Sequence, residues 1–103
     1  SNAEGSIGVK ICKYVFSTTK QELKFENEVR KISFRECQLL DLLTKSMGEI
    51  VTRKVILDTV WGDDHFFNSR NLDVYITKLR GYFKSDPKIE IITLKAVGYR
   101  LIG

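Results

Sequence analysis

Arg70, Val74, Thr77, Lys78 and Gly81 fall on one side of any helix drawn through residues 68–83, the run NSRNLDVYITKLRGYF. At about 100° per residue they share a face, and their chemistry suits a DNA major groove. Cations there reach phosphates, a lysine donates to guanine edges, and a methyl-bearing side chain such as Val74 touches the thymine methyl. The opposite side carries Leu72, Ile76, Leu79 and Phe83 at steps of four, three and four, with Tyr75 beside them. That stripe is the buried face of an amphipathic helix. Between positions 70 and 84, the cations Arg70, Lys78, Arg80 and Lys84 stand against Asp73, a net of +3. A basic amphipathic helix also suits a membrane surface, an acidic partner or plain solvent. The segment alone leaves those readings open.

Other chemistry is poorly supplied. His65 is the lone histidine, and it follows Asp63 and Asp64 in a short loop. One imidazole and two adjacent carboxylates make a poor metal site. No Ser or Cys stands beside His65 as a nucleophile, and there is no Gly-rich phosphate loop or paired-acid motif. We therefore expect no enzyme, no metal and no cofactor. Cys12 and Cys37 form no CxxC and read as reduced, small hydrophobes, the first in a strand and the second on the apolar side of a helix. No run approaches the ~18 apolar residues of a membrane span, and no signal-peptide core is seen. A cytoplasmic protein without a membrane partner is expected.

The elements that must position the 68–83 face are legible on both sides of it. The 103 residues are enough for one domain, and 43 % hydrophobic with 29 % charged residues is ordinary for a globular chain. A formal charge of +4 and a pI near 9.1 favour an anionic partner. Ser1-Asn2-Ala3 reads as an expression-tag remnant, leaving residues 4–103 as the domain. Strands are expected over residues 10–16, 22–25 and 28–32, the last two joined as a hairpin at Glu26-Asn27. Ser33 and Glu36 form a capping box for a first helix with Cys37, Leu39, Leu40 and Leu43 inward and Gly48 as its stop. Thr52 caps a second helix over residues 53–61, with Ile56, Leu57, Val60 and Trp61 inward and Gly62 as its stop. Asn68 or Ser69 is expected to cap the third. Residues 89–94 and Tyr99 to Ile102, turning near Ala96-Val97-Gly98, close the chain as a hairpin. The fold class is α+β: a winged helix-turn-helix with a small N-terminal antiparallel sheet, three helices and a C-terminal β-hairpin wing. In that arrangement the helix before the hairpin enters the major groove, and the hairpin reaches backbone or minor groove.

Several stretches in this order resemble the effector domain of OmpR/PhoB-type response regulators. They are Ile32-Ser33-Phe34-Arg35-Glu36, Thr52-Arg53 through Trp61-Gly62, Arg70-Asn71-Leu72-Asp73-Val74-Tyr75-Ile76 with Leu79-Arg80, and Thr93-Leu94-Lys95-Ala96-Val97-Gly98-Tyr99-Arg100-Leu101. The resemblance covers the chain from about residue 8 to its end. It implies a cytoplasmic transcription regulator in a two-component phosphorelay, with a phosphoacceptor receiver domain that this sequence lacks and a sensor kinase acting through it. It implies binding to double-stranded DNA at direct-repeat half-sites, as a homodimer in the full-length protein. Carried over by position, it puts Arg70 on phosphate, Val74, Tyr75 and Lys78 on bases, and Asn71 and Thr77 on base or backbone. Lys95 would approach the minor groove from the wing and Arg53 the backbone, while Asp73 and Arg80 support the helix. Tyr75 can equally pack at the core edge. Asp63, Asp64, His65 and Phe66 lie where the family engages RNA polymerase, although the two phenylalanines can instead fill the core edge. The competing reading is a winged helix used for protein interaction or dimerisation without DNA. Three positions depart from the family pattern. Thr77 stands where Arg is common, Gly81 interrupts the basic run after Leu79-Arg80, and Ala96 replaces a wing glycine.

Overall fold

The computed structural model describes residues 8–103 apart from the Phe66 side chain, so the tag remnant expected at 1–3 lies outside the described residues. Four short strands come first: β1 (Val9–Ile11), β2 (Tyr14–Ser17), β3 (Glu22–Phe25) and β4 (Glu28–Lys31). They form an antiparallel meander in chain order. The single strand expected over 10–16 is therefore two strands, and Cys12 lies in the turn between them. Ile11 pairs with Tyr14, and Cys12 adopts φ 52°. The turn carries no Gly, Pro or Asn, so apolar alternation runs through it unbroken in the sequence. The Glu26-Asn27 turn is found where expected, with Phe25 opposite Glu28 and Glu26 at φ 55°.

Helix α1 (Phe34–Lys45) begins with the expected capping box: Glu36 N–H donates to Ser33 Oγ at 3.1 Å, and Ser33 N–H donates to Glu36 Oε1 at 2.8 Å. Its inward residues Cys37, Leu39, Leu40 and Leu43 are buried. A strand absent from the sequence reading follows, β5 (Ile50–Thr52). Helix α2 (Arg53–Ile56) continues as a π-helical turn (Leu57–Trp61), and Gly62 ends it at φ 90°. That left-handed conformation is one glycine adopts without penalty. Helix α3 (Phe66–Tyr82) precedes β6 (Glu90–Leu94) and β7 (Gly98–Ile102).

The second sheet has the order β5-β7-β6. Thr52 opposes Gly98, where a Cβ would stand 2.1 Å from the Val51 carbonyl oxygen, so only glycine admits β5 at this distance. The core gathers between the sheets: Phe16, Leu39, Leu40, Leu43, Ile56, Leu72, Ile76, Leu79 and Leu101 are almost wholly buried. Among the described residues no helix is long and apolar enough to cross a membrane.

Candidate nucleic-acid interface

The N-cap of helix α3 lies three residues before the earlier of its two expected caps. His65 is its N-cap and makes no side-chain cap hydrogen bond. The residues expected to cap it are committed elsewhere. Asn68 Nδ2 donates to Asp63 Oδ1 at 2.8 Å, and Ser69 accepts from Arg53 through its carbonyl at 3.0 Å and through its hydroxyl. Asp63 Oδ1 also accepts from His65 N–H at 2.9 Å. The backbone donor at His65, then the Asn68 side chain, holds the Asp63 carboxyl below its ordinary range.

The stripe Leu72, Ile76, Leu79 and Phe83 is buried as its spacing requires. The outward face of α3 therefore presents Arg70, Asn71, Val74, Thr77, Lys78 and Gly81, all exposed. Val74 is 52 % exposed, a large fraction for an aliphatic side chain on a helix. The Thr77 hydroxyl donates to its own helix at the Asp73 carbonyl, 3.1 Å away. Tyr75 is half-buried, and its ring meets Trp61 edge-on at 5.4 Å. Tyr75 thus packs at the core edge and leaves part of its ring open beside the outward face. The ring also lies under the Lys78 ammonium at 5.1 Å, while the Arg35 guanidinium covers Trp61 at 5.2 Å. Cation–π contact of this kind limits the space a long lysine samples.

The wing is joined to α3 at two points. Arg80 Nε donates to the Ile91 carbonyl at 3.0 Å, and its Nη2 donates to the same carbonyl and to Thr93 Oγ1 at 2.7 Å. Tyr99 OH donates to Asp73 Oδ1 at 2.7 Å. Asp73 and Arg80 therefore support the helix, as the resemblance implies. Arg53, expected near the DNA backbone, is turned into the same cluster. Its Nη1 lies 2.9 Å from Asp73 Oδ1 and 3.3 Å from the Tyr99 hydroxyl. Partial burial pushes the Asp73 carboxyl up, but hydrogen bonds from Arg53 and Tyr99 outweigh it and hold the group below its usual range. Burial first, then the Asp73 carboxylate, raises the Tyr99 hydroxyl.

At the wing tip Val97 N–H donates to the Leu94 carbonyl at 2.9 Å, enclosing Lys95 and Ala96. Lys95 is exposed, and Ala96 sits at φ 63°. The site where a glycine is usual thus keeps a left-handed conformation although it has a Cβ. In the loop before α3, Asp63, Asp64 and His65 are exposed, and His65 stacks on Phe67 at 5.7 Å. Phe67 is 68 % exposed and does not fill the core edge, while the Phe66 side chain lies outside the described ones. Lys54 reaches Asp58 at 3.1 Å and Asp64 at 3.5 Å, tying this loop to α2. Among the described residues no group of three or more His, Cys, Asp or Glu could hold a metal ion.

Residues 27–101 match the family described as "Transcriptional regulatory protein, C terminal". The chain is 45 % identical over 101 residues to the transcriptional regulatory protein RprY of Bacteroides fragilis, covering 98 % of this chain but 42 % of that protein. It thus spans under half the length of that relative. Among solved structures it is similar to the DNA-binding domain of Bacillus subtilis CssR, with TM-score 0.71 and 28 % identity, over 85 % of this chain and 98 % of that one. The fold is also shared with the Klebsiella pneumoniae RstA DNA-binding domain, solved in complex with the RstA box. There the TM-score is 0.76 at 21 % identity, over 91 % and 95 % of the two chains.

Proposed function

As the chain belongs to the family of transcriptional regulatory protein C-terminal domains, the effector domains of OmpR/PhoB-type response regulators, we propose that it binds double-stranded DNA sequence-specifically to control transcription. The observation that carries this reading is the outward face of α3. It offers Arg70, Asn71, Val74 and Lys78 to solvent while Leu72, Ile76 and Leu79 anchor the opposite side in the core. Such a helix fits the major groove with base-reading groups at its centre and a phosphate-binding cation near its start. Lys78 and Val74 read base edges, Arg70 binds phosphate, and Asn71, Tyr75 and Thr77 complete the contact. Lys95 reaches backbone or minor groove from the wing tip.

Residues 4–103 would be the output half of a cytoplasmic regulator whose receiver domain, phosphorylated by a sensor kinase, pairs two copies on direct-repeat half-sites. Asp63, Asp64 and His65 would meet RNA polymerase from the loop before α3, and Phe66 from the helix's first position. The support for that contact is the exposure of Asp63, Asp64 and His65, with the exposed Phe67 ring beside them.

Selection from random duplexes followed by footprinting tests the reading. A defined site, with log affinity falling by about 0.9 per log unit of salt for each phosphate neutralised, is the expected result. No enriched site, or a flat salt response, would sink it.

A further inference from the structure

Arg53 is joined to the wing through both its main chain and its side chain. Its N–H donates to the Val97 carbonyl at the wing tip, 3.0 Å away. Its guanidinium reaches the Tyr99 hydroxyl on β7 at 3.3 Å, Asp73 on α3 at 2.9 Å and the Ser69 carbonyl near the start of α3 at 3.0 Å. The ring is closed by Tyr99 OH donating to the same Asp73 oxygen at 2.7 Å. Three elements that have no covalent reason to keep a fixed spacing therefore meet on one planar cation.

The geometry of this ring matches what a guanidinium does and an ammonium does not. Its fork spreads donors in fixed directions, one toward the carboxylate and phenol, the other toward the Ser69 carbonyl and hydroxyl. The Arg53 side chain is 27 % exposed and its nearest acid is already paired with it. A cation spent this way releases few counterions when DNA approaches, because its charge is compensated before binding.

We infer that Arg53 is a positioning residue, a strut that fixes the wing at a set distance from the recognition helix through Asp73 and Tyr99, and not a phosphate ligand. The inference rests on the DNA-binding reading above. If it holds, Arg53 sets whether helix and wing engage adjacent grooves together. Its loss leaves the major-groove contact and removes the minor-groove one.

The test compares the wild-type domain with R53Q, R53K and Y99F on one selected duplex, below every variant's melting transition. R53Q should lose affinity roughly tenfold, as for one member of a coupled network, and R53Q/Y99F should lose little more than R53Q alone. The salt slope should shallow by no more than the wing's own cation, Lys95, contributes, and only together with the loss of wing protection. Hydroxyl-radical protection should vanish under the wing and persist under α3. R53K, which keeps the charge but not the fork, should resemble R53Q. A slope shallower by about 0.9 with wing protection intact, or full rescue by R53K, would identify Arg53 as a phosphate ligand and overturn the strut. Unchanged affinity and protection in R53Q would overturn it as well. Amide exchange of the free domain separates this failure from failure of DNA binding itself. R53Q should speed exchange in residues 94–99 while the core amides of α1 stay protected, and unaltered wing exchange counts against the strut whether or not DNA binds.

Discussion

The N-terminal sheet pairs strands that follow one another in the chain, whereas the wing sheet takes its outer strand β5 from between two helices. The two are also attached by different forces. The first is held by rings: Tyr14 stands 4.6 Å from Phe25 and 4.9 Å, edge-on, from Phe83 beyond the end of α3. The second sinks Val51, Ile91 and Leu101 into the core and adds directed hydrogen bonds, from Arg80 to Ile91 and Thr93 and from Arg53 and Tyr99 to Asp73. Apolar contact is non-directional and fixes proximity more than angle. Charged hydrogen bonds fix angle and distance together. Orientation is thus controlled most tightly at the end of the molecule that faces DNA under the proposed reading.

The contrast breaks most violently at Phe83. Phe83→Ala removes a buried ring shared by α3 and the N-terminal sheet and should cost about 3–5 kcal/mol in a urea melt. A single transition is expected. Two transitions, with only the N-terminal sheet loosened, would mean that ring packing does not bind the sheets into one cooperative unit. At the wing, Gly98→Ala pushes a Cβ onto the Val51 carbonyl and should cost about 1–3 kcal/mol, with faster amide exchange along β5 and β7. Unaltered exchange there would show that the wing sheet gives way easily and is less rigid than its clamps imply. Ala96→Gly works in the other direction. Relief of the left-handed strain at φ 63°, less the extra flexibility of the unfolded glycine chain, should stabilise the domain by about 0.5–1 kcal/mol. A loss of stability would place the strain elsewhere.

What could be read from sequence divides along the same line. The capping box at Ser33 and Glu36, the buried stripe of α3 and the closing hairpin rest on residue types acting over three or four positions, and all are present. Two features were hidden because they rest on partners far away in the chain. Strand β5 has three residues and exists because Gly98 lets β7 come close. The start of α3 was misplaced because Ser69 carries the signature of a cap and serves Arg53 instead, 16 residues away. Likewise a basic residue near the start of α2 reads as a DNA ligand until its side chain is seen on Asp73. The outward face of α3 was legible because helical spacing alone determines it.

The smallest expected effect concerns a polar link between α3 and α1, beside the ring-packed sheet. Tyr82 OH donates to Glu36 Oε2 at 2.7 Å, while Arg30 covers the Tyr82 ring at 4.5 Å. Burial first, then the Glu36 carboxylate, pushes the phenol from 10.0 up to about 12. A folded pKa raised above the unfolded one contributes stability that is fully present below the unfolded value. That contribution is lost as pH rises from about 10 toward 12, because the unfolded chain releases the proton first. Tyr82→Phe deletes the titrating group, so its stability should fall less steeply than wild type across that window. Every other ionisable group is common to both proteins, so the difference between the two curves isolates Tyr82. Denaturant midpoints taken at half-unit steps from pH 9 to 12 measure it. A difference that narrows steadily above pH 10 supports the Glu36 link. A constant difference would mean that Tyr82 is held by its ring alone.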